Sequence, residues 1–412
     1  MSYKMTSVTF VAISLCAAIN VRADDLDKPM FSFAGFGTVG LTHSTEDQAD
    51  FALSTLKPHG AGYSSSWSAN VDSRIGAQVT GNFTSDLSAI VQVISQQRYD
   101  SRYLPTVEWA NVRYQVTSDL SVRIGRIALP TFLEADYRNV GYAIPWVRTP
   151  GEVNDLVSVT NSDGIDIRFR SHLGDLKDTL QGSFGTTNIN YPDDGHVAVR
   201  AIRGITNTTE YGSTTVRLSY LQGNFSLDVG QPLFDAFRQF GPQGSAIADK
   251  YSGENKVMTY VGIGVNYDPG EWFAMGELGK TNSHSFIGDK TAGYVSGGYR
   301  IGKLTPYVTL AQVKADSNRS DPGLGTAGLP PYLAGEAVGL NAGVNVLLNS
   351  IAVQHSISIG MRWDLMKNAA LKVQCDSIRL GANSSGDLVN MQPGFVGGGK
   401  VNVVSTVLDF VF

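Results

Sequence analysis

The feature that most constrains this chain is an alternation of apolar and polar residues with a period of two, which recurs from about Met30 to the C-terminus. In one such segment Ile165, Ile167 and Phe169 are separated by charged residues. A period of two places successive side chains on opposite faces of a strand. The pattern therefore predicts an all-β chain in which each strand has one apolar and one polar face.

The predicted strands and their connections follow a regular scheme. The strands lie near residues 30–42, 69–82, 86–98, 105–117, 119–128, 159–171, 176–188, 197–206, 212–222, 256–268, 271–282, 290–301, 304–315, 350–364, 369–381 and 400–412. Short turns alternate with longer connections, and the five longest loops lie near 43–68, 129–158, 223–255, 316–349 and 382–399. A soluble sandwich has no reason to alternate its connections in this way, whereas a membrane barrel has short periplasmic turns and long extracellular loops.

Strands can cross a membrane only as a closed sheet, because an unpaired backbone group in hydrocarbon costs several kcal/mol. The predicted fold is therefore a transmembrane antiparallel β-barrel of about 16 strands, and a barrel of this size leaves an aqueous channel. The even strand count places both chain ends on the periplasmic side.

Composition supports this fold and excludes others. Hydrophobic residues make up 42% of the 412 residues and charged residues only 17%, whereas a soluble protein of this size normally carries more Lys and Glu on its surface. After the N-terminal segment no apolar helical span of about 20 residues occurs, so an inner-membrane helical protein is excluded. The net charge of −5 gives no reason to expect a nucleic-acid partner.

The N-terminus has the features of a secretory signal peptide over residues 1–23. Lys4 supplies a positive start, the segment Thr6–Val21 is mostly apolar, and Ala23 fits the cleavage position. An anchoring helix is the alternative, but the apolar stretch is short. The predicted mature domain is 24–412, and its single cysteine, Cys375, excludes an intramolecular disulfide.

Both ends of the mature chain resemble the outer-membrane porins of Gram-negative bacteria. The segment Phe31–Gly40 resembles their opening strand, and the segment Val401–Phe412 has apolar residues at alternate positions and ends in Phe412. The resemblance covers the mature chain as a pattern and places it in the superfamily of 16-stranded trimeric porins. It implies a homotrimer in the outer membrane, contact with lipid and lipopolysaccharide, and recognition of Phe412 as an assembly signal by the barrel-assembly machinery.

In that superfamily the third long loop folds into the barrel and narrows the pore. The corresponding segment is Leu129–Ser158, where Pro145, Trp146 and Pro150 would stiffen the loop. The candidate constriction residues are Glu134, Asp136, Arg138, Arg148, Glu152 and Asp155. A surface loop with unremarkable charges is the alternative.

Alternation directs a set of arginines toward the lumen, and these are the candidate pore-wall residues: Arg74, Arg113, Arg123, Arg168, Arg170 and Arg217. Acids on the loop opposite these arginines would create a transverse field that orients polar solutes, as in the eyelet of general porins. Inward acids, among them Asp72, Asp166, Asp364 and Asp376, mean that counting charges does not decide ion selectivity.

The sequence lacks the usual signatures of catalysis and cofactor binding. The six histidines include no H-x-x-x-H pair, there is no phosphate-binding loop, and adjacent His-Ser pairs on a strand point to opposite faces. We therefore expect no metal, no cofactor and no enzymatic activity. The acidic tip at Asp193, Asp194 and Gly195 fits a turn, with Ca²⁺ binding as the alternative.

The sequence thus predicts a porin for passive diffusion of ions and small hydrophilic solutes. A substrate-specific channel for anionic or sugar solutes is the nearest alternative, with the arginines serving as a track. A barrel without transport function, such as an adhesin or a phospholipase, is the third possibility.

Overall fold

The computed structural model describes residues 29–192 and 195–412, so that the predicted signal peptide and Asp193 and Asp194 lie outside the described residues. Sixteen long strands form one antiparallel barrel. They are β1 Phe31–Ser44, β2 Arg74–Asn82, β3 Leu87–Gln96, β4 Thr106–Gln115, β5 Leu120–Ala128, β6 Asn161–Leu173, β7 Leu176–Tyr191, β8 Gly195–Tyr211, β9 Thr214–Leu227, β10 Lys256–Tyr267, β11 Trp272–Asn282, β12 Lys290–Tyr299, β13 Leu304–Ala315, β14 Gln354–Met366, β15 Ala369–Leu380 and β16 Lys400–Val411. The predicted fold class is confirmed.

The barrel closes by pairing of its first and last strands. Each strand pairs with its neighbours in sequence, and β1 pairs with β16 from Phe36 opposite Val411 to Ser44 opposite Val403. Beyond this ladder, the backbone N–H of Phe412 donates to the carbonyl of Gly35 at 2.9 Å, and the N–H of Gly35 donates back at 2.7 Å. The main sheet therefore has no open edge, as a membrane requires.

The barrel is apolar outside and polar inside, which is the reverse of a soluble protein. On β14, Ile359 on the outer face is 63% exposed, whereas Arg362 on the inner face, three residues further along the strand, is only 2% exposed. The same alternation runs along the other long strands, where exposed Val, Ile, Leu and Phe side chains cover the outer surface. Such a surface is stable only against lipid.

The two ends of the barrel differ. We call the end with the short turns the turn side and the end with the long connections the loop side. On the turn side, two-residue turns place Gly174 and Gly212 at φ values of 62° and 55°, a backbone conformation that glycine adopts without strain. Exposed aromatic side chains lie on the outer surface near this end: Tyr114, Tyr267, Trp272, Tyr299 and Trp363. Their position fits the boundary between hydrocarbon and water.

Two predicted long loops contain helices that the sequence analysis did not anticipate. The connection between β9 and β10 contains α2 Gln231–Arg238 and α3 Gly241–Tyr251, and the connection between β13 and β14 contains α4 Pro331–Asn349. These helices pack around buried apolar side chains, including Phe237 and Val344. A proline at the first or second position of each helix was a usable sequence signal.

Strand boundaries differ from prediction mainly on the loop side. β7 ends later than predicted, at Tyr191, and β8 begins earlier, at Gly195. Backbone pairing between them persists beyond the point where the apolar alternation stops. β14 begins at Gln354 rather than at residue 350, because Ile351 is buried in the helical cluster. Among the described residues, none of the helices is long and apolar enough to cross a membrane.

The closing seam depends on two glycines that accommodate phenylalanine rings. A Cβ on Gly35 would lie 2.2 Å from Cζ of Phe412, and one on Gly37 would lie 2.4 Å from Cζ of Phe410. Both rings therefore lie flat across β1. The ring of Phe412 fits in this position only because residue 35 has no side chain.

We predict that Gly35→Val reduces the folded fraction, with a loss in unfolding free energy of about 1–3 kcal/mol from overpacking. The matched control is Gly182→Val on β7, where the added side chain meets nothing within 4 Å. Heat-modifiable migration on gels and urea titration measure both variants. Equal folding of the two would contradict a role of Gly35 in the seam.

Candidate functional site: the inner loop and the facing wall

The connection between β5 and β6, residues 129–160, lies inside the barrel, and we call it the inner loop. Its two ends meet where the N–H of Leu129 donates to the carbonyl of Thr160 at 3.0 Å. It contains a four-residue helix, α1 Gly151–Asn154. Phe132, Trp146 and Val153 are almost completely buried although they belong to a connection rather than a strand. Their burial comes from the inward side chains of the barrel wall.

An aromatic layer holds the inner loop against β10–β13. The Trp146 ring meets Tyr294 edge to face with centroids 5.6 Å apart, and Phe132 meets Tyr260 in the same manner at 5.6 Å. The indole N–H of Trp146 donates to the Ser296 hydroxyl at 2.8 Å, so its polar atom is also satisfied. Aromatic contacts of this kind fix the loop on one side of the lumen.

Lys372 on β15 anchors the inner loop from the opposite direction. Its ammonium donates to the carbonyls of Gly141, Ile144 and Trp146 at 2.7–2.8 Å and lies 2.8 Å from the Asp409 carboxylate on β16. Lys372 and Asp409 are both 0% exposed. A buried cation needs such a complete set of partners, so the lysine and the loop backbone stabilise each other.

Arg148 of the inner loop forms a second anchor. Its guanidinium pairs with Asp72 at 2.8 Å and with Asp376 on β15 at 3.2 Å, and it lies 4.9 Å from the ring centroid of Phe51. Burial alone would lower the pKa of Arg148, but the charges of Asp72 and Asp376 and the hydrogen bonds to Asp72 together outweigh burial and raise the pKa. Arg148 therefore remains charged and ties the loop to the wall.

Two buried glutamates meet where the inner loop touches β11. Glu277 accepts hydrogen bonds from the backbone N–H of Leu133 at 2.9 Å and from the Tyr294 hydroxyl at 3.0 Å, and Glu134 lies within hydrogen-bonding reach of it. Both Glu134 oxygens are buried and find no donor among the described residues. The two carboxyl groups are therefore packed close together in a buried site.

The wall on the other side of the lumen stays accessible to water. Inward side chains of β4, β6, β8 and β9 that are only half-buried include Arg113, Gln115, Arg168, Arg170, Thr208 and Arg217. The inward side chains of β15 and β16 are, by contrast, mostly buried under the loop. The arginine-bearing strands are therefore the part of the inner wall that the loop covers least.

The predicted loop-acid and wall-arginine arrangement occurs at one pair. Asp136 of the inner loop lies 3.5 Å from Arg168 on β6. Burial opposes ionisation of Asp136, but the charges of Arg168, Arg217 and Arg123 and the hydrogen bond from Arg168 together outweigh burial, so the pKa of Asp136 is lowered. Asp136 is therefore an ionised group facing the arginine wall.

The other predicted wall residues have varied surroundings. Arg123 forms a bidentate pair with the wall residue Asp166, with one contact at 2.9 Å, and Arg217 donates to the carbonyl of Phe132. Arg74 is buried, and its Nε has no hydrogen-bond partner among the described residues.

The remaining predicted loop residues have other partners. Glu152 accepts a hydrogen bond from Gln354 at 3.1 Å, and Asp155 accepts one from the backbone N–H of Thr55 at 3.4 Å. Burial raises the pKa of Asp155 to about 6. The guanidinium of Arg138 lies 5.9 Å from the Phe132 ring centroid. The six candidates thus divide between the aperture and the loop anchors.

Sequence reasoning missed Lys372, Asp409 and Glu277, which hold the inner loop in place. Their signal was present, because each is a charged residue at an inward position of a strand whose other face is apolar. Among residues 29–192 and 195–412, no three His, Cys, Asp or Glu side chains are grouped closely enough to hold a metal ion.

The geometry defines a closed membrane barrel of sixteen strands whose lumen is narrowed by an inward connection. No family model and no curated protein matches the sequence. Solved structures do match. The anion-selective porin from Comamonas acidovorans is similar with a TM-score of 0.55 and 14% identity over 93% of this chain and 99% of that one.

Two further solved structures are similar to the same extent. The outer-membrane channel DcaP of Acinetobacter baumannii and OmpF of Salmonella typhi, in a complex with daunomycin, each match with a TM-score of 0.54 and 12% identity, over 93% of this chain and 97% of theirs. Identities this low establish the fold alone. The chain therefore has the fold of outer-membrane porins, which confirms the predicted fold.

We predict that Lys372→Met leaves the buried Asp409 carboxylate without its cation and removes one hydrogen-bond donor from each of three loop carbonyls. Removing one partner of a buried ion pair costs about 3–5 kcal/mol, and the loosened loop should increase open-channel current noise. Lys303→Met, at an exposed turn position, is the control. Denaturant titration and single-channel recording measure both. Wild-type noise in Lys372→Met would contradict the anchoring role.

Lys57, in the connection between β1 and β2, gives a pH-dependent prediction. Its ammonium donates to the carbonyl of Gln97. The preceding residue, Gln96, pairs with Arg74 in the sheet. Burial and the positive charge of Arg74 lower the pKa of Lys57 to about 8. Lys57 is charged below this pH and neutral above it, so the reversal potential of a channel formed by this barrel should shift toward cations between about pH 7 and 9. Reversal potentials of the wild type and of Lys57→Arg, which keeps its charge, test this. Identical pH profiles would contradict it.

Proposed function

We propose that the protein is an outer-membrane porin that forms a water-filled channel for the passive diffusion of ions and small hydrophilic solutes. The observation that carries this proposal is the asymmetric filling of the lumen. The inner loop packs against β10–β13 and β15 and touches β8 and β9, where the carbonyl of Pro130 accepts hydrogen bonds from Thr206 and Ser219, while the arginines of β4 and β6 stay half-exposed. A passage with a hydrated, charged wall admits polar solutes and disfavours apolar ones, which would displace ordered water.

The proposed constriction consists of Asp136 on the inner loop and Arg113, Arg123, Arg168, Arg170 and Arg217 on the facing wall. Only Asp136 brings a loop carboxylate to this wall, at 3.5 Å from Arg168. Arginines therefore outnumber loop acids at the passage, and we infer a field that favours small anions without excluding cations. The similarity in fold to an anion-selective porin is in keeping with this inference.

The proposed location and partners follow from the same fold. The similar solved structures are outer-membrane porins and channels, which supports an outer-membrane location and the absence of enzymatic activity. We propose that residues 1–23 direct export, that Phe412 serves as the assembly signal for the barrel-assembly machinery, and that the functional unit is a homotrimer in contact with lipid and lipopolysaccharide.

Planar-bilayer recording of the purified protein tests the proposal. We expect stepwise, ohmic conductance that grows in proportion to salt concentration. The double variant Arg168→Ala/Arg170→Ala should shift the reversal potential toward cation preference. Arg203→Ala is the matched control, because this arginine is exposed on the outer surface of β8.

Three outcomes would count against the proposal. An absence of steady conductance would favour a barrel without transport function. Saturable block by one sugar or anion would favour the substrate-specific channel. An unchanged reversal potential in the double variant would remove these arginines from the passage.

A further inference from the structure

A pocket lies between the inner loop and strands β13–β15, which are not the strands that carry the half-exposed arginines. The inner loop lines this pocket with Trp146 and with residues 148–152, and the facing strands line it with inward side chains such as Gln374. On the loop side, Phe51 and Asp387 belong to the connections between β1 and β2 and between β15 and β16. Several separate parts of the chain therefore enclose one space beside the inner loop.

Acidic side chains dominate the charge of this space, which we call the acid pocket. It is lined by one basic side chain, Arg148, and by four carboxylates: Glu152, Asp155, Asp376 and Asp387. Arg148 is already paired with Asp72 and with Asp376, so it does not compensate the other three acids. In the part of the chain that the structure describes, these three form no ion pair, and Lys290 and Arg138 act on Asp155 only from beyond ion-pair distance.

The side-chain amide of Gln354 shows how close two of these carboxylates are. Its nitrogen donates to Oε1 of Glu152 at 3.1 Å and to Oδ2 of Asp387 at 3.0 Å, so these two oxygens are no more than about 6 Å apart. The charge of Asp155 also acts on Asp387. A neutral amide cannot compensate the charge of two carboxylates, so the acid pocket is short of positive charge.

Burial without a compensating cation makes ionisation of these acids costly. Burial raises the pKa of Glu152 and raises the pKa of Asp155 to about 6. Burial and the charges of Asp155 and Glu152 raise the pKa of Asp387. A bound cation offsets this cost, because it supplies both the charge and the hydrogen-bond donors that the pocket wall lacks. The acid pocket therefore complements a cationic ligand.

The rest of the lining favours an organic cation over a metal ion. Among the described residues, no three His, Cys, Asp or Glu side chains are grouped closely enough to hold a metal. Trp146 and Phe51 offer apolar contact, and Ser356 and Ser358 offer hydroxyl groups on the facing strand. An ammonium group donates three hydrogen bonds, which carboxylates and a hydroxyl can accept. The carbon chain of an amine is compatible with the aromatic side chains.

We propose that the acid pocket binds a small organic cation of the class of short aliphatic diamines. Two ammonium groups a few bonds apart match two carboxylate oxygens that are no more than about 6 Å apart. The inner loop then separates an arginine wall that attracts anions from a pocket that retains cations. The proposal goes beyond passive diffusion and does not depend on it, because the pocket can be filled whether or not ions cross the barrel.

Ligand-observed NMR titration of the folded protein in uncharged detergent micelles tests the proposal. The probe is 1,3-diaminopropane, and 1,3-propanediol, which has the same length and no charge, is the neutral comparison. In the variant Asp155→Asn/Asp387→Asn we expect the affinity for the diamine to fall on the order of a hundredfold, because a hydrogen bond to a charged group contributes about tenfold or more. The control variant Asp249→Asn/Glu254→Gln removes the same charge from exposed loop-side positions and should bind as the wild type does.

A pH titration of the wild type tests the same proposal without a variant, so it holds even if the pocket variant fails to show heat-modifiable migration on gels. Asp155 takes up a proton as the pH falls through about 6 and then no longer attracts the probe. The diamine keeps its charge over this range. We therefore expect the wild-type affinity to be about tenfold weaker at about pH 5 than at about pH 7.5.

Four results would overturn the proposal. They are equal diamine affinity of the pocket and control variants, equal affinity of the wild type for the diol, an affinity independent of pH, and displacement of the diamine by Ca²⁺ at a lower concentration, which would assign the pocket to a metal ion. Because binding in micelles requires no transport, this test can fail while steady conductance is observed, and it can succeed in a barrel that does not conduct.

Discussion

Backbone pairing between the first and last strands is the constraint on which the rest of this structure depends. An apolar outer surface has to face lipid, and lipid offers no partner to an unpaired N–H or C=O group. The seam between β1 and β16 removes the last free edge. Once the sheet is closed, the inner face becomes the wall of an enclosed space, and polar residues there can be satisfied by water, by each other or by the inner loop.

The inner loop narrows that space, and in the channel that we propose its position defines the passage. Aromatic contacts with Tyr260 and Tyr294 fix one part of it, and Lys372 and Arg148 fix the rest against β15 and neighbouring strands. The loop therefore has a fixed position within the lumen, and the uncovered wall determines the chemistry of the passage. Charge on that wall matters more for solutes than the total charge of the chain.

The strands, their order and the inward direction of the arginines could be predicted from the sequence because alternation is local information. The contacts that pack against each face of a strand, by contrast, involve residues far away in the sequence. Lys372 contacts Gly141 across 231 positions in the chain, and no periodicity reveals such a pairing. The inward direction of Glu277 followed from alternation, but its meeting with Glu134 did not. Helix α4 was not predicted, because the length of a loop does not indicate a helix within it. The prolines at its start are the local signal for this helix.

The location of Lys372 and Asp409 on the last two strands has a consequence for biogenesis. The inner loop is synthesised well before β15 and β16. Lys372, which donates hydrogen bonds to three carbonyls of the loop, and Asp409, which pairs with Lys372, belong to these C-terminal strands. Completion of the barrel and seating of the loop are therefore one cooperative event. A chain truncated before β15 would lack both the closing strands and the ammonium that holds the loop, so an incomplete barrel cannot contain a properly formed constriction.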